Sequence, residues 1–233
     1  MTNTAWNDLG SYLKETQILG SIQSTLYWDQ NTSMPKRGSS WRAEQLTYLA
    51  KILHHRNSSQ HFSNLIDSAD HEINNIEDNT DDQIASKRKN INLLKRELER
   101  ERKIDPLLVE NLARAKSRGY ESWNQAKIDS NYKIFLPYFR ELIKLRIEEA
   151  NQISNEMTPW ETLAQPYEPD ISKDWLFKIF NPLKKTIPSL LRELKYIKKE
   201  NWDLEPKAQK FLCEKLLDKF GRDKNLVAIA ESP

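Results

Sequence analysis

The chain carries four histidines, His54, His55, His61 and His71. His54 and His55 are neighbours in a helical pattern, so they project about 100° apart and cannot readily chelate one metal. The segment His71-Glu72-Ile73-Asn74-Asn75 reads His-Glu-x-x-Asn, one residue short of a zinc motif. In that motif two histidines at i and i+4 share a helix face, and the adjacent glutamate deprotonates metal-bound water. Asparagine is a poor zinc ligand, and the flanking Asp67, Asp70, Glu77 and Asp78 describe a polar helix surface. The pairs Glu148-Glu149 and Asp81-Asp82 fall on hydrophilic faces or turns, with no apolar pocket to raise a carboxyl pKa. Cys213 is the only cysteine, which excludes an intramolecular disulfide or a cysteine cage. It sits in the apolar helical pattern Phe211 to Leu217 and reads as a buried, inert thiol. There is no Gly-x-Ser-x-Gly, no Walker motif and no dinucleotide fingerprint. Trp6, Trp123, Trp175 and Trp202 lie in or near apolar stripes and read as core. By residue types and spacing alone, no catalytic constellation is present.

The elements that would position these residues are helices. Leu9, Leu13, Ile18, Ile22 and Leu26 mark a first amphipathic segment running into Tyr27-Trp28-Asp29, and Gln30 to Arg37 reads as an ordered loop. Ser39 or Ser40 can cap a second helix with Leu46, Leu49, Ile52 and Leu53 on one face, ended by Asn57-Ser58-Ser59. A weaker segment spans Phe62 to Ile76, and Asp78 to Asp82 breaks it. From Ile84 to Lys103 the signal is strong, with Ile84, Ile91, Leu94 and Leu98 on a narrow stripe. The other face is a charged mixture, which predicts one arm of a helical hairpin. Asp105-Pro106 starts another helix, with Asp as N-cap and Pro at the first helical position. Gly119 is expected to end it, Trp123 to Ile128 to form a short helix, and Pro137 to seed a longer one through Ile153. Met157 to Asp170 holds three prolines and reads as broken. Ser172 caps a helix with an apolar face from Leu176 to Ile197, which Pro182 should kink or split. Leu204 to Phe220 forms the last helix, stopped by Gly221. Leu226 to Ile229 could begin a strand. The predicted class is all-α, a multi-helix array, with a sub-division at 1–104 and 105–233.

Composition agrees. Only 5 of 233 residues are glycine, about 2% against roughly 7% on average, which argues against Gly-rich phosphate loops and turn-dense β architectures. Lys and Arg total 36, Asp and Glu 34, for a formal net charge of +2. A nucleic-acid partner is therefore not expected, and the basic stretch Lys184 to Lys199 reads as a solvated helix face. No run approaches the apolar length of a membrane span, so no membrane partner is expected. The N-terminus lacks a basic n-region and an apolar h-region, which makes the cytoplasm the expected location.

One stretch carries a resemblance. Trp28-Asp29-Gln30-Asn31-Thr32-Ser33-Met34-Pro35, followed by Arg42-Ala43-Glu44-Gln45-Leu46, resembles the N-terminal signature of the carboxypeptidase Taq family, Trp-Asp-x-x-Thr-x-Met-Pro then Arg-Ala-x-Gln-Leu. Further matches follow in order. Trp123, Ala126, Lys127, Phe135 and Pro137 resemble its Trp-x-x-Ala-(Arg/Lys) and Phe-x-Pro segment. Leu163 with Tyr167-Glu168-Pro169 resembles its Leu-x-x-x-Tyr-Glu-Pro, with Asp170 where glycine is common.

The resemblance implies a helical, cytoplasmic, homodimeric metallocarboxypeptidase that releases C-terminal residues from peptides. It also implies a His-Glu-x-x-His helix with a downstream glutamate, binding zinc or cobalt. Those elements belong to the second half of the family's sequence, and no position here matches them; His71-Glu72 is in the wrong place. The segment from Phe220 to Pro233 resembles the one that leads into the family's His-Pro-Phe motif, so the expectation is an N-terminal portion, catalytically incompetent by itself. The site residues to examine are Trp28, Asp29, Thr32, Met34, Pro35, Arg42 and Gln45. They either line a substrate groove, or act structurally, with Trp28 and Met34 as core anchors and Asp29 capping a turn. A different class of reading is a free-standing helical interaction or dimerisation module.

Overall fold

A computed structural model describes residues 4–76, 82–194 and 204–223. Six of the helices begin where a short polar side chain satisfies a free backbone N–H. Helix α1 (Ala5–Thr32) is capped by Thr4, and α3 (Gln60–Asn74) by Ser59, whose hydroxyl accepts from Phe62 N at 3.1 Å. Helix α5 (Pro106–Ile128) is capped by Asp105, which accepts from Leu107 N at 2.7 Å, and α6 (Tyr132–Ile153) by Asn131. Helix α2 (Ser39–Ser58) follows a 3₁₀ turn at Lys36–Gly38, and α4 spans Asp82–Arg102. The short α7 (Pro159–Ala164) closes on a reciprocal capping box between Thr158 and Glu161. Helices α8 (Lys173–Glu193) and α9 (Pro206–Lys219) complete the order; no strand occurs among the described residues.

The chain divides into two units, Met1–Ile171 and Ser172–Pro233. In the first unit, α1, α3 and α4 share a core of Leu9, Phe62, Ile66, Ala69, Ile73, Ile84, Ile91 and Leu98. The stripe read from sequence on α4 is thus the stripe that is buried. A second core, Ile104, Leu108, Leu112 and Ile153, joins α5 to α6. These two run antiparallel: Asp105 N donates to Gln152 at the far end of α6, and Arg118 pairs with Glu141 nearer the turn. Helix α2 lies along α5, whose buried positions there include the small residues Ala113, Ala115 and Ser117. In the second unit, α8 starts at its Ser172 cap, and no residue of α8 or α9 is buried. Gly221 at φ +66 ends α9, with its N–H on Asp218 O and the Arg222 N–H on Leu217 O.

Several expected boundaries differ. Helix α1 runs through Thr32, so the loop predicted from Gln30 is shorter. Its tail is held because Gln30 is buried and donates to Ser117 Oγ at 3.0 Å. Ser39 and Ser40 do not cap α2; the 3₁₀ turn leads into it directly, with Gly38 at the cap position. Gly119 does not end α5, which continues to Ile128 because both its faces are packed. Pro137 lies inside α6, one turn past the Asn131 cap, where a single backbone bond is lost. Pro182 does not split α8, which also accommodates Pro188. Cys213 is exposed, and Trp123 and Trp175 are about half exposed, Trp123 beside Tyr120 and Lys127 of its own helix. Trp202, Asp78 to Asp81 and Leu226 to Ile229 lie outside the described residues.

Candidate functional site

The signature residues form a junction between α1 and α2. The Asp29 carbonyl accepts from both Ser33 N (3.0 Å) and Met34 N (2.9 Å), ending α1 in a tight turn, and Thr32 Oγ1 donates to Trp28 O at 2.7 Å. Pro35 continues in extended backbone, and its carbonyl accepts from Gly38 N at 2.8 Å. The half-buried Met34 side chain rests against Gly38, with its Cγ 3.4 Å from where a Cβ would stand. Arg42 then reaches back from α2. Its Nη2 pairs with Asp29 Oδ2 at 2.6 Å, its Nη1 donates to Leu26 O, and its Nε donates to Gln45 Oε1 at 2.9 Å. Five of the seven signature residues, Asp29, Thr32, Met34, Arg42 and Gln45, therefore hold one another or the local backbone. Trp28 is 60% exposed and is not a core anchor. It stands free beside the turn.

A second constellation lies deeper in the first unit. Two cavities, of about 520 and 300 Å³, share Asn57, Glu101, Arg146 and Glu149 and together form a trough. His54, 5% exposed, places Nδ1 2.9 Å from Glu101 Oε2. Glu149, 8% exposed, is held by Arg146 one turn before it and by Arg100 at 3.9 Å, and Arg100 also donates to Thr162 O. Charges taken out of water need such partners. Two more ionisable groups line the trough from solvent-exposed positions, Glu97 and Lys116, with no hydrogen bond or ion pair among the described residues. Burial, and then the neighbouring Glu101 charge, raises the Glu97 carboxyl above its ordinary range. Burial, and then Arg146, lowers the Lys116 ammonium, with Glu149 opposing. Burial also raises the Tyr27 phenol at the smaller cavity.

Sequence reasoning placed none of these trough residues together. They come from α2, α4, α5 and α6, and each alone looks like a charged helix position. Glu149 in particular reads as surface and is buried, because α6 turns that face toward Arg100 of α4. The near-motif at His71-Glu72 resolves differently: Glu72 accepts from Trp6 N at 3.1 Å and so caps α1, while His71 faces Asn75 on the surface. Among the described residues no three His, Cys, Asp or Glu side chains are grouped so as to hold a metal. The residues present do not fit the zinc or cobalt that the resemblance implies. No described helix is long and apolar enough to cross a membrane.

Comparison with known proteins gives a consistent answer. The family described as Carboxypeptidase Taq (M32) metallopeptidase matches residues 8–232. Thermostable carboxypeptidase 1 of Thermus thermophilus is 26% identical over 197 residues, covering 80% of this chain and 38% of the relative. Carboxypeptidase 1 of Bacillus subtilis is 25% identical over 182 residues, covering 78% of this chain and 35% of the relative. Among solved structures, the crystal structure of BsuCP superposes with a TM-score of 0.80 at 23% identity, over 94% of this chain and 44% of that one. Metallocarboxypeptidase 1 of Trypanosoma cruzi gives 0.70 at 22%, over 95% and 45%. At these identities the structural likeness establishes the helical fold, and the chain spans less than half the length of these relatives. With nearly all of its length matched by the family, the chain belongs to the carboxypeptidase Taq (M32) metallopeptidases.

Proposed function

We propose that these helices form a metal-free wall of a metallocarboxypeptidase that releases C-terminal residues from peptides. Zinc or cobalt, and the water it activates, would come from the part of the family fold that these 233 residues do not cover. The observation that carries this reading is the pairing of a family match over residues 8–232 of this chain with coverage of only 35–38% of two relatives. In this role the Asp29–Arg42 junction sets the angle between α1 and α2 and presents Trp28 beside the turn. The resemblance further suggests a cytoplasmic homodimer.

The test has two arms. The chain is dialysed against zinc or cobalt, its metal content is measured, and it is assayed for release of C-terminal residues from blocked peptides. No stoichiometric metal and no release are expected. One tightly held metal per chain, or metal-dependent release, overturns the proposal.

A second reading, an interaction or dimerisation module, is favoured by one observation: Phe180, Leu183, Ile187, Leu190 and Leu194 all stand exposed along α8. Such a contiguous apolar face marks a contact surface. Light scattering separates the readings. A concentration-independent monomer with little dye-accessible apolar surface rules out the module.

A further inference from the structure

Helix α7 and the turn 165–171 that follows it border the larger cavity, which Leu163, Pro166 and Tyr167 line. Two arginines one helical turn apart on α4 hold this segment at two points of very different strength. At the near end Arg100 donates to the carbonyl of Thr162, a fully buried residue, at 3.2 Å. At the far end Arg96 Nη2 meets Asp170 Oδ1 at 3.2 Å, with side chains 54% and 83% exposed. So exposed a pair shifts an equilibrium by about fivefold or less. Asp170 adopts φ +66, left-handed backbone that a residue with a Cβ disfavours. That conformation brings its N–H 2.8 Å from Gln165 Oε1, while Gln165 Nε2 donates to Ile171 O at 3.0 Å. One glutamine side chain thus closes the turn into a ring, and the ring needs Asp170 in its strained form. Tyr167, within the turn, is 82% exposed although it lines the cavity, so little packing opposes its movement.

We propose that the turn 165–171 is a strap over the larger cavity, closed while the Arg96–Asp170 pair offsets the left-handed backbone of Asp170. The two effects are of similar size, a weak exposed pair against one strained residue, so the balance is easily tipped. Opening returns Asp170 to ordinary backbone, undoes the Gln165 ring and carries Pro166 and Tyr167 off the cavity. Helix α7 stays in place, since its packing on α6 and its bond from Arg100 do not involve Asp170. Ionic strength is the control, because salt screens the exposed pair far more than the buried end. The device belongs to this chain alone, requires neither metal nor hydrolysis, and can fail while the wall reading stands.

Hydrogen exchange of the 233-residue chain, read by mass spectrometry, tests it at about 0.01 M and about 1 M salt, between which the screening length falls from roughly 30 to 3 Å. Exchange across 165–171 is expected to rise about threefold with salt, the size of one exposed pair, while α6 and α7 keep theirs. Arg96→Met is expected to raise it by a similar factor at low salt and to remove the salt dependence. Asp170→Ala, which keeps a Cβ and loses the pair, opens the strap in the same way. Asp170→Gly also loses the pair but accepts left-handed backbone, and keeps the strap closed at both salts. Access to the cavity is read separately with Leu94→Cys in a Cys213→Ser background, since Leu94 lines the same cavity. Its thiol is expected to react faster with a bulky reagent wherever exchange rises. Equal exchange at both salts, full protection in Arg96→Met, or Asp170→Gly exchanging as fast as Asp170→Ala overturns the proposal. A thiol rate unchanged by salt and by Arg96→Met overturns it too, since the turn would then cover nothing.

Discussion

Arg42 Nη2 and Asp29 Oδ2 stand 2.6 Å apart across the α1–α2 turn, with the arginine side chain 12% exposed and the aspartate 37%. The same guanidinium donates to Leu26 O and Gln45, so one side chain makes three polar contacts across the turn. Replacing Arg42 by Met keeps much of the apolar stem but leaves the carboxylate and the carbonyl short of a donor. The loss expected is about 2 kcal/mol, since half-buried groups deprived of a charged partner cost that much. Urea unfolding of Arg42→Met checks it; Asp29→Asn, which still accepts, should lose less.

Gly119 sits inside α5, on a buried position, yet a Cβ built there meets nothing within 4 Å. Glycine in a helix interior costs roughly 0.5–1 kcal/mol relative to alanine through backbone entropy. Gly119→Ala is therefore expected to stabilise the chain by up to about 1 kcal/mol, read as a shift of the unfolding midpoint at unchanged m-value. A loss of stability would show that the close passage of α5 past its neighbours depends on the missing methyl.

That glycine also shows where sequence reading stops. Local chemistry was legible: Asp105-Pro106, Ser172 and Gly221 each set a boundary by their own side chain or conformational freedom, and the stripe Ile84, Ile91, Leu98 gave the buried face of α4. Boundaries set by distant partners were not. Gly119 reads as a terminator, and only the neighbours packed along α5 show that the helix continues. Gln30 reads as loop, and only Ser117, 87 residues away, holds it in α1. The signature junction was nameable because its residues are close in sequence. The trough was invisible because its charged residues come from four different helices, and each alone resembles solvated surface.

Glu149 carries the heaviest electrostatic burden of that trough. Arg146 and Arg100 both depend on it, and it is 8% exposed. Glu149→Ala leaves two guanidinium groups without their carboxylate and is expected to destabilise the first unit by about 3 kcal/mol, in the range for breaking a buried ion pair. Glu148→Ala, one position earlier and exposed, is expected to be near neutral. Thermal melts of the two variants side by side check the contrast.

Glu97 and Lys116 make stability depend on pH in opposite directions. The Glu97 carboxyl is raised in the folded chain, so its contribution is fully present below the usual glutamate pKa and is lost as pH rises through the raised folded value. Glu97→Gln has no such loss. It should match the parent under acid conditions and melt higher from mildly acidic pH upward. The Lys116 ammonium is lowered, so the folded chain is penalised at every pH below the folded value, and the penalty disappears as pH climbs past the ordinary lysine pKa. Lys116→Met should therefore melt higher at neutral pH and converge with the parent in strong alkali. Both groups remain partly open to solvent, which keeps each gain small. Melting temperatures of the three proteins across the pH range test the pair. Curves that run parallel would mean that neither charge is strained in the trough.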